Sequence, residues 1–256
     1  MLTAPHYNIG YIVALLNSKL LSLYHVRRSA LALRDDFPKL VLDDTRLLPI
    51  RRIDFTTPKA ERQQQLERVV RQYQGTLQSA MNDTARSPLT FTELLTVVGK
   101  PGENLRIPLD VLHDSLGYLA EEMTELHKTR RQEVKRFLGW VQAALRLRQS
   151  KDGDASLEAL AGKTVLMDYL GNYQKAEVEQ PFEAILEVLR KNAKRLGVSL
   201  NDSRLIGRLR EEYEKSLAVL LPIKRRLAAT DWLIDQLVYR LYGLTEEEIR
   251  IVEGVE

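Results

Sequence analysis

Asp110, Glu133 and Lys135 are the residue types of a divalent-metal nuclease, an acid followed by acid-x-Lys. Such a site needs its ligands on neighbouring strands. Here the apolar residues Leu112, Leu116, Leu119, Met123 and Leu126, then Val134, Phe137, Val141 and Leu145, keep the spacing of one helix. On a helix, Asp110 and Glu133 would lie about 35 Å apart at roughly 1.5 Å per residue, so they cannot share a metal. His6, His25, His113 and His127 show no ligand spacing and read as surface or boundary histidines. What remains is cation chemistry. Arg34, Lys39, Arg46, Arg51 and Arg52 gather in one stretch, after Lys19, Arg27 and Arg28, and Lys128, Arg130, Arg131, Lys135 and Arg136 gather in another. Guanidinium forks on loops match phosphate and guanine edges, so these are the candidate DNA-contacting residues.

The elements that must position these cations are mostly helical. Ile9 to Val26 is densely apolar, interrupted after Gly10 mainly by Asn17-Ser18-Lys19, and reads as a largely buried helix. Phe37-Pro38 favours extended backbone, Leu40 to Leu42 could form a short strand, and Asp43-Asp44 marks a turn. Thr57-Pro58 is a helix start, followed by an apolar stripe at Leu66, Val69, Val70, Tyr73 and Leu77. Residues 87–108 hold three prolines and two glycines and read as a connection with at most one short helix. Asp110 is expected to cap the long helix, with Phe137 and Trp140 as core and Arg130 making its middle wetter than its ends. Lys151 to Ala155 reads as a linker. A helix starting after Pro181 is expected to stop at Gly197. The last long helix, capped by Asn201 or Asp202, carries Leu220, Ile223, Leu227, Thr230, Ile234, Leu237 and Leu241 at alternating spacings of three and four, a coiled-coil-like seam bent near Pro222. Gly243 ends it, and Thr245 with Glu248 forms a capping box for one more short helix.

The expected fold is therefore mainly α. Long helices pack antiparallel like a coiled coil, the helix from Thr57 against the C-terminal one, with a small irregular or short-strand segment near residues 34–54. The segments divide as 1–56, 57–150 and 151–256. The 256 residues carry a net charge of +3, no cysteine and no apolar run long enough for a membrane span. Absence of cysteine fits a cytoplasmic protein. Charge is uneven: residues 124–151 hold eight Lys/Arg against two Glu, and residues 188–226 hold eleven against four acids. Excess of this kind belongs either to a solvated helix face or to a surface for a polyanion.

Three groups of residues carry a resemblance. Asp231-Trp-Leu-Ile-Asp-Gln-Leu-Val-Tyr-Arg-Leu-Tyr-Gly243, continuing through Leu244 to Gly254, closely resembles the C-terminal end of bacterial restriction-modification proteins with an adenine-specific DNA methyltransferase. Leu15-Leu-Asn-Ser-Lys-Leu20, Phe37-Pro-Lys-Leu40 and Leu48-Pro49-Ile50, in that order, resemble the TaqI-like specificity domain of those enzymes, which is related to type I specificity subunits. Leu119 to Lys128, followed by Glu133 to Trp140, is similar to the same family. The resemblance implies a target-recognition region of a type II restriction enzyme, acting in bacterial defence. It implies double-stranded DNA as partner, a methyltransferase domain or subunit upstream or in trans, and no membrane. Variable sequence-reading segments of the family precede the Asn-Ser-Lys element. Residues 1–56 are therefore expected to be the remnant of a recognition domain, in a fragment, a split-gene product or a subunit that a partner completes. Asn17 and Ser18 themselves are read as local hydrogen bonding that fixes a turn.

The methylation chemistry itself is not encoded here. Adenine methyltransferases of this kind grip the flipped base with an Asn-Pro-Pro-aromatic loop, and none of the nine prolines is followed by another. No two glycines are separated by a single residue, so a glycine-rich turn for S-adenosylmethionine is missing too. The parent protein would use S-adenosylmethionine, with Mg2+ if an endonuclease is fused to it. A helical coiled-coil scaffold with no DNA role is the alternative reading. The purified chain is expected to transfer no label from S-adenosylmethionine to duplex DNA and to leave a plasmid uncut in magnesium. Incorporation or cutting above a heat-killed control would overturn this.

Overall fold

The computed structural model describes residues 7–28, 46–82, 91–149 and 154–255. The helices among them are α1 (Ile9–Asn17), α2 (Lys19–Arg28), α3 (Lys59–Asn82), α4 (Thr92–Val98), α5 (Leu109–Leu145), α6 (Lys163–Met167), α7 (Phe182–Lys191), α8 (Ser203–Tyr242) and α9 (Glu246–Glu253). Three single 3-10 turns follow Ser156, Asn172 and Asn192, and no strand occurs among the described residues. The mainly α fold is thus as the sequence predicts. Residues 46–56 are almost entirely irregular. Arg34, Lys39, the Phe37-Pro-Lys-Leu40 element, the possible strand at Leu40 to Leu42 and residues 151–153 of the linker lie outside the described residues.

The chain forms two compact units, one of residues 1–124 with 229–256 and one of residues 125–228. Their limits fall inside α5 and α8, whereas the sequence divisions at 56/57 and 150/151 follow turns and linkers. In the first unit, Tyr11, Leu15, Leu112, Leu116 and Leu119 share a core with Val69, Tyr73 and Leu77 of α3 and with Leu233, Leu237 and Leu241 of α8. The Tyr73 and Thr230 hydroxyls, both buried, satisfy one another at 2.8 Å, so the one polar member of the α8 seam has its partner on α3. Thr57–Asp110, Arg62–Asp114 and Gln74–Tyr118 contacts link the chain at and along α3 to α5 in the same N-to-C order.

Several sequence expectations change in detail. Asp110 sits in the first turn of α5 and serves another helix, accepting the Thr57 N–H and hydroxyl, each at 2.8 Å, just before α3. Thr57 is thereby held in place at the start of α3. α7 stops at Lys191, six residues before Gly197. There the Asn192 side chain turns back to donate to the Val188 and Ala161 carbonyls and to accept the Ala161 N–H. The α8 seam is buried as expected, but every residue from Leu233 to Leu241 is buried as well, so this part of the helix is enclosed on all sides. Asp202 caps α8 through the Arg204 N–H at 2.9 Å, Gly243 ends it in the left-handed region, and Thr245 and Glu248 form the capping box.

In the second unit α5 and α8 are antiparallel. Arg136 meets Glu212 at 2.9 Å, and nine residues further along α5 the Leu145 carbonyl accepts the N–H of Gly197, which precedes α8. Phe137, Tyr169, Tyr213 and Phe182 form a chain of ring contacts between α5, α7 and α8, at centroid separations from 4.8 to 6.2 Å. As the sequence predicts, no residue of α5 between Leu126 and Phe137 is fully buried.

Helix α1 crosses α5 closely. A Cβ on Gly10 would stand 2.7 Å from the Gly117 carbonyl oxygen, a main-chain atom that cannot step aside. Gly139, on the exposed side of α5, has open space around it. Gly10→Ala should destabilise by about 1–3 kcal/mol through overpacking, whereas Gly139→Ala should stabilise by roughly 0.5–1 kcal/mol through helix propensity. Denaturant melts of the two variants check this, and equal shifts would contradict the helix crossing.

Candidate nucleic-acid interface

The cations of the first unit are set on two frames. α1 ends at Asn17 and α2 begins at Lys19, with Ser18 buried between them and its hydroxyl bonded to the Leu15 carbonyl at 2.7 Å. The Lys19 N–H is one of the unpaired donors at the start of α2, and Asp235 of α8 accepts it at 2.8 Å. The Lys19 side chain stays about half exposed, its ammonium 3.8 Å from the same carboxylate. Arg27 and Arg28 are exposed at the far end of α2, and Arg28 donates to the Tyr24 hydroxyl at 2.7 Å.

Arg51 and Arg52 sit on an irregular stretch of backbone held by three tyrosines. Tyr242 accepts the Arg51 N–H at 3.2 Å and donates to the Pro49 carbonyl at 2.6 Å. Tyr11 donates to the Arg51 carbonyl at 2.8 Å, and Tyr7 accepts the Ile53 N–H at 2.7 Å. Burial raises the Tyr11 and Tyr242 hydroxyls above the usual phenol range, so both stay protonated donors. The side chains of Arg46, Arg51 and Arg52 face outward. Elements distant in sequence therefore meet: Asn17-Ser18-Lys19 lies against Asp235, and Leu48-Pro49-Ile50 against Tyr242.

His113 lies elsewhere than the sequence predicts. It is fully buried, with the rings of Tyr7, Tyr11 and Phe55 at 4.5–5.6 Å. Its Nε2 accepts the Asn8 N–H at 3.2 Å, so Nδ1 carries the proton and donates to Asp114 at 2.8 Å. Asp114 in turn pairs with Arg62 at 2.8 Å. Both ring nitrogens are occupied, which makes this a structural histidine. Among the described residues no group of His, Asp and Glu could hold a metal ion.

On α5 the five cations differ in their freedom. Arg136 grips Glu133 through two nitrogens and reaches Glu212 on α8. The bonds to these carboxylates raise its pKa, and the Arg136 guanidinium lowers that of Glu133. Lys128 pairs with Glu125 at 3.2 Å, and Arg130 is half-buried. Arg131 and Lys135 are exposed. Charge separates between the two units more than along the chain. Residues 125–228 hold 21 Lys/Arg and 14 Asp/Glu, a net +7, whereas the rest holds 17 and 21, a net −4. In the first unit α2 also packs on α9, whose sequence is Glu-rich.

Comparison of the chain with protein-family models, with curated proteins and with solved structures finds no match.

Sequence reasoning gave Asp235 no role, although its signal was there: an acid between the buried positions Ile234 and Leu237 of an apolar seam. Its side chain is 4% exposed, and burial lifts its pKa to about 6, against the Lys19 N–H and ammonium, which pull it down; Asp231 and Glu253 push the same way as burial. The folded carboxyl thus binds its proton more tightly than the unfolded one, whose pKa is about 3.9. Its contribution to stability is complete below about pH 4 and is lost as pH rises through about 6. Relative to Asp235→Asn, the wild-type chain should lose roughly 2–3 kcal/mol between pH 4 and pH 7. Denaturant titrations of both proteins across that range measure the difference, and a gap independent of pH would refute the buried carboxylate.

Proposed function

We propose that this chain is a DNA-recognition and docking segment of an adenine-methyltransferase restriction-modification protein, without catalysis of its own. The observation that carries the reading is the separation of charge. A unit of net +7, built around two antiparallel helices, stands in a chain whose remainder is net −4. A duplex carries one phosphate charge per about 1.7 Å of axis, and cations that neutralise phosphates gain affinity by releasing counterions. Meeting of the Asn17-Ser18-Lys19 and Leu48-Pro49-Ile50 elements with the C-terminal helix supports the same reading, since these are the residues that carry the family resemblance. Arg51 and Arg52 offer guanidinium forks on clamped backbone. Methyl transfer would come from a domain or subunit upstream or in trans, with S-adenosylmethionine bound there.

A second reading, a helical interaction protein, is favoured by one feature. Ile9, Val13 and Leu16 form an exposed apolar stripe along α1, with Ile9 at 80% exposure. Such a stripe suits a partner helix better than a polyanion.

Binding of the full chain to mixed-sequence duplex DNA separates the two. The DNA reading expects weak, largely sequence-independent binding, with log affinity falling against log salt by about 0.9 for each phosphate contact. Fluorescence anisotropy at several salt concentrations measures the slope. Binding indifferent to salt, or none at low salt, would refute the DNA role.

A further inference from the structure

Two distant segments, each rich in cations, meet at the end of α5. The Arg148 N–H donates to the Arg195 carbonyl at 2.8 Å, and the Gly197 N–H donates to the Leu145 carbonyl at 3.1 Å. The two stretches of backbone lie so close that a Cβ on Gly197 would collide with the Arg146 carbonyl and stand 2.9 Å from its Cβ. Arg195 is spent on this junction. Its guanidinium donates to the Ala159 carbonyl, to the Asp154 carbonyl at 2.8 Å and to the Arg148 carbonyl at 3.5 Å. Five other cations point outward: Arg146 and Arg148 past the end of α5, and Arg190, Lys191 and Lys194 at the end of α7 and in the turn after it are all exposed.

We propose that this junction is the principal phosphate-contacting site of the chain, where Arg146, Arg148 and Lys194, flanked by Arg190 and Lys191, bind the backbone of duplex DNA. The proposal rests on the DNA-binding reading above and gives it a place. The middle of α5, where the sequence draws attention to Lys128 through Arg136, is the weaker surface. Two of its five cations are paired with Glu125, Glu133 and Glu212, and a third is half-buried. Asp154, whose carbonyl Arg195 binds, has its carboxylate engaged by the Ser156 N–H and hydroxyl at 2.8 and 3.0 Å. The site is also stiff. Main-chain bonds and the Arg195 anchor hold the two segments before any ligand arrives, so less freedom is lost on binding. None of the five outward residues is apolar, and a lipid surface would gain nothing from insertion there. Planar arginine forks suit phosphodiester oxygens.

The test uses the full chain, a labelled mixed-sequence duplex and anionic phospholipid vesicles. Arg146→Gln/Arg148→Gln/Lys194→Gln should bind DNA at least tenfold more weakly, with a salt slope shallower by roughly two to three, since each lost phosphate contact removes about 0.9. Arg131→Gln/Lys135→Gln should stay within about threefold of wild type, one contact or fewer being lost. The junction's hydrogen bonds are made by main-chain groups and by the Arg195 side chain, so the triple variant should melt as wild type does. Arg190→Gln/Lys191→Gln, on the α7 side, gives an independent loss if the triple variant is unstable. Binding of wild type that survives both junction variants but fails in Arg131→Gln/Lys135→Gln would overturn the proposal and leave the DNA reading standing. No salt-sensitive binding by wild type would remove the DNA reading itself. Tighter binding to vesicles than to DNA, lost in the same variants, would replace the duplex by a lipid surface and also overturn it.

Discussion

The first turn of α2 begins inside the protein, and the donors exposed there must find a partner or cost about 1–3 kcal/mol each. Ser18 serves its own neighbourhood, and Asp235 reaches the Lys19 N–H from a helix 216 residues further along the chain. That carboxylate is held still because Leu233 to Leu241 is buried all round, so it cannot turn to water without unpacking the core. The contact sets the register of the N-terminal helices against the C-terminal one. Seven residues on, Tyr242 reaches Pro49 and Arg51, while Tyr11 of α1 takes the other side of Arg51. The irregular segment around Arg51 is thus clamped by side chains from both partners of the Asp235 contact. Loss of that contact would loosen three elements at once.

The start of α5 obeys the same rule by different means. Asp110, His113 and Asp114 occupy its first turns, and two of the three are fully buried. None is left alone: Asp110 accepts two bonds from Thr57, His113 takes one N–H and gives one proton, and Asp114 joins it to Arg62. Buried polar groups in such a network specify a single arrangement of the helices that contribute them. These acids and this histidine are the groups a search for catalysis would select first, and their partners assign them to architecture.

The second unit handles charge in the opposite way. Arg136 and Arg195 are committed to internal work, one between two helices and the other among loop carbonyls, while most of the remaining cations face water. Ion pairs on an exposed helix contribute little to stability, typically below about 1 kcal/mol. The excess of cations therefore does not hold the unit together, and an anion can engage it without undoing the fold. The proposed binding of a polyanion rests on this division of labour.

Helical spacing, glycine and proline placement and the capping pattern at Thr245 and Glu248 are local properties, and the sequence alone determined the long helices, the wet middle of α5 and the buried seam from Leu220 to Leu241, but not the break at Ser18 that divides the expected helix from Ile9 to Val26 into α1 and α2. The uneven distribution of charge was legible in the same way. Partners across long separations were not. Nothing local in Asp235 names Lys19, nothing in Asp110 names Thr57, and His113 looks like a boundary residue until three aromatic rings surround it. Similarly, the basic stretches at 124–151 and 188–226 are separate in the chain, and only antiparallel packing of α5 and α8 with the main-chain junction at Arg148 and Arg195 makes them one surface. Side-chain periodicity depends on the few residues around each position, whereas burial and pairing depend on which helices enclose it, and that is settled only when the chain closes on itself.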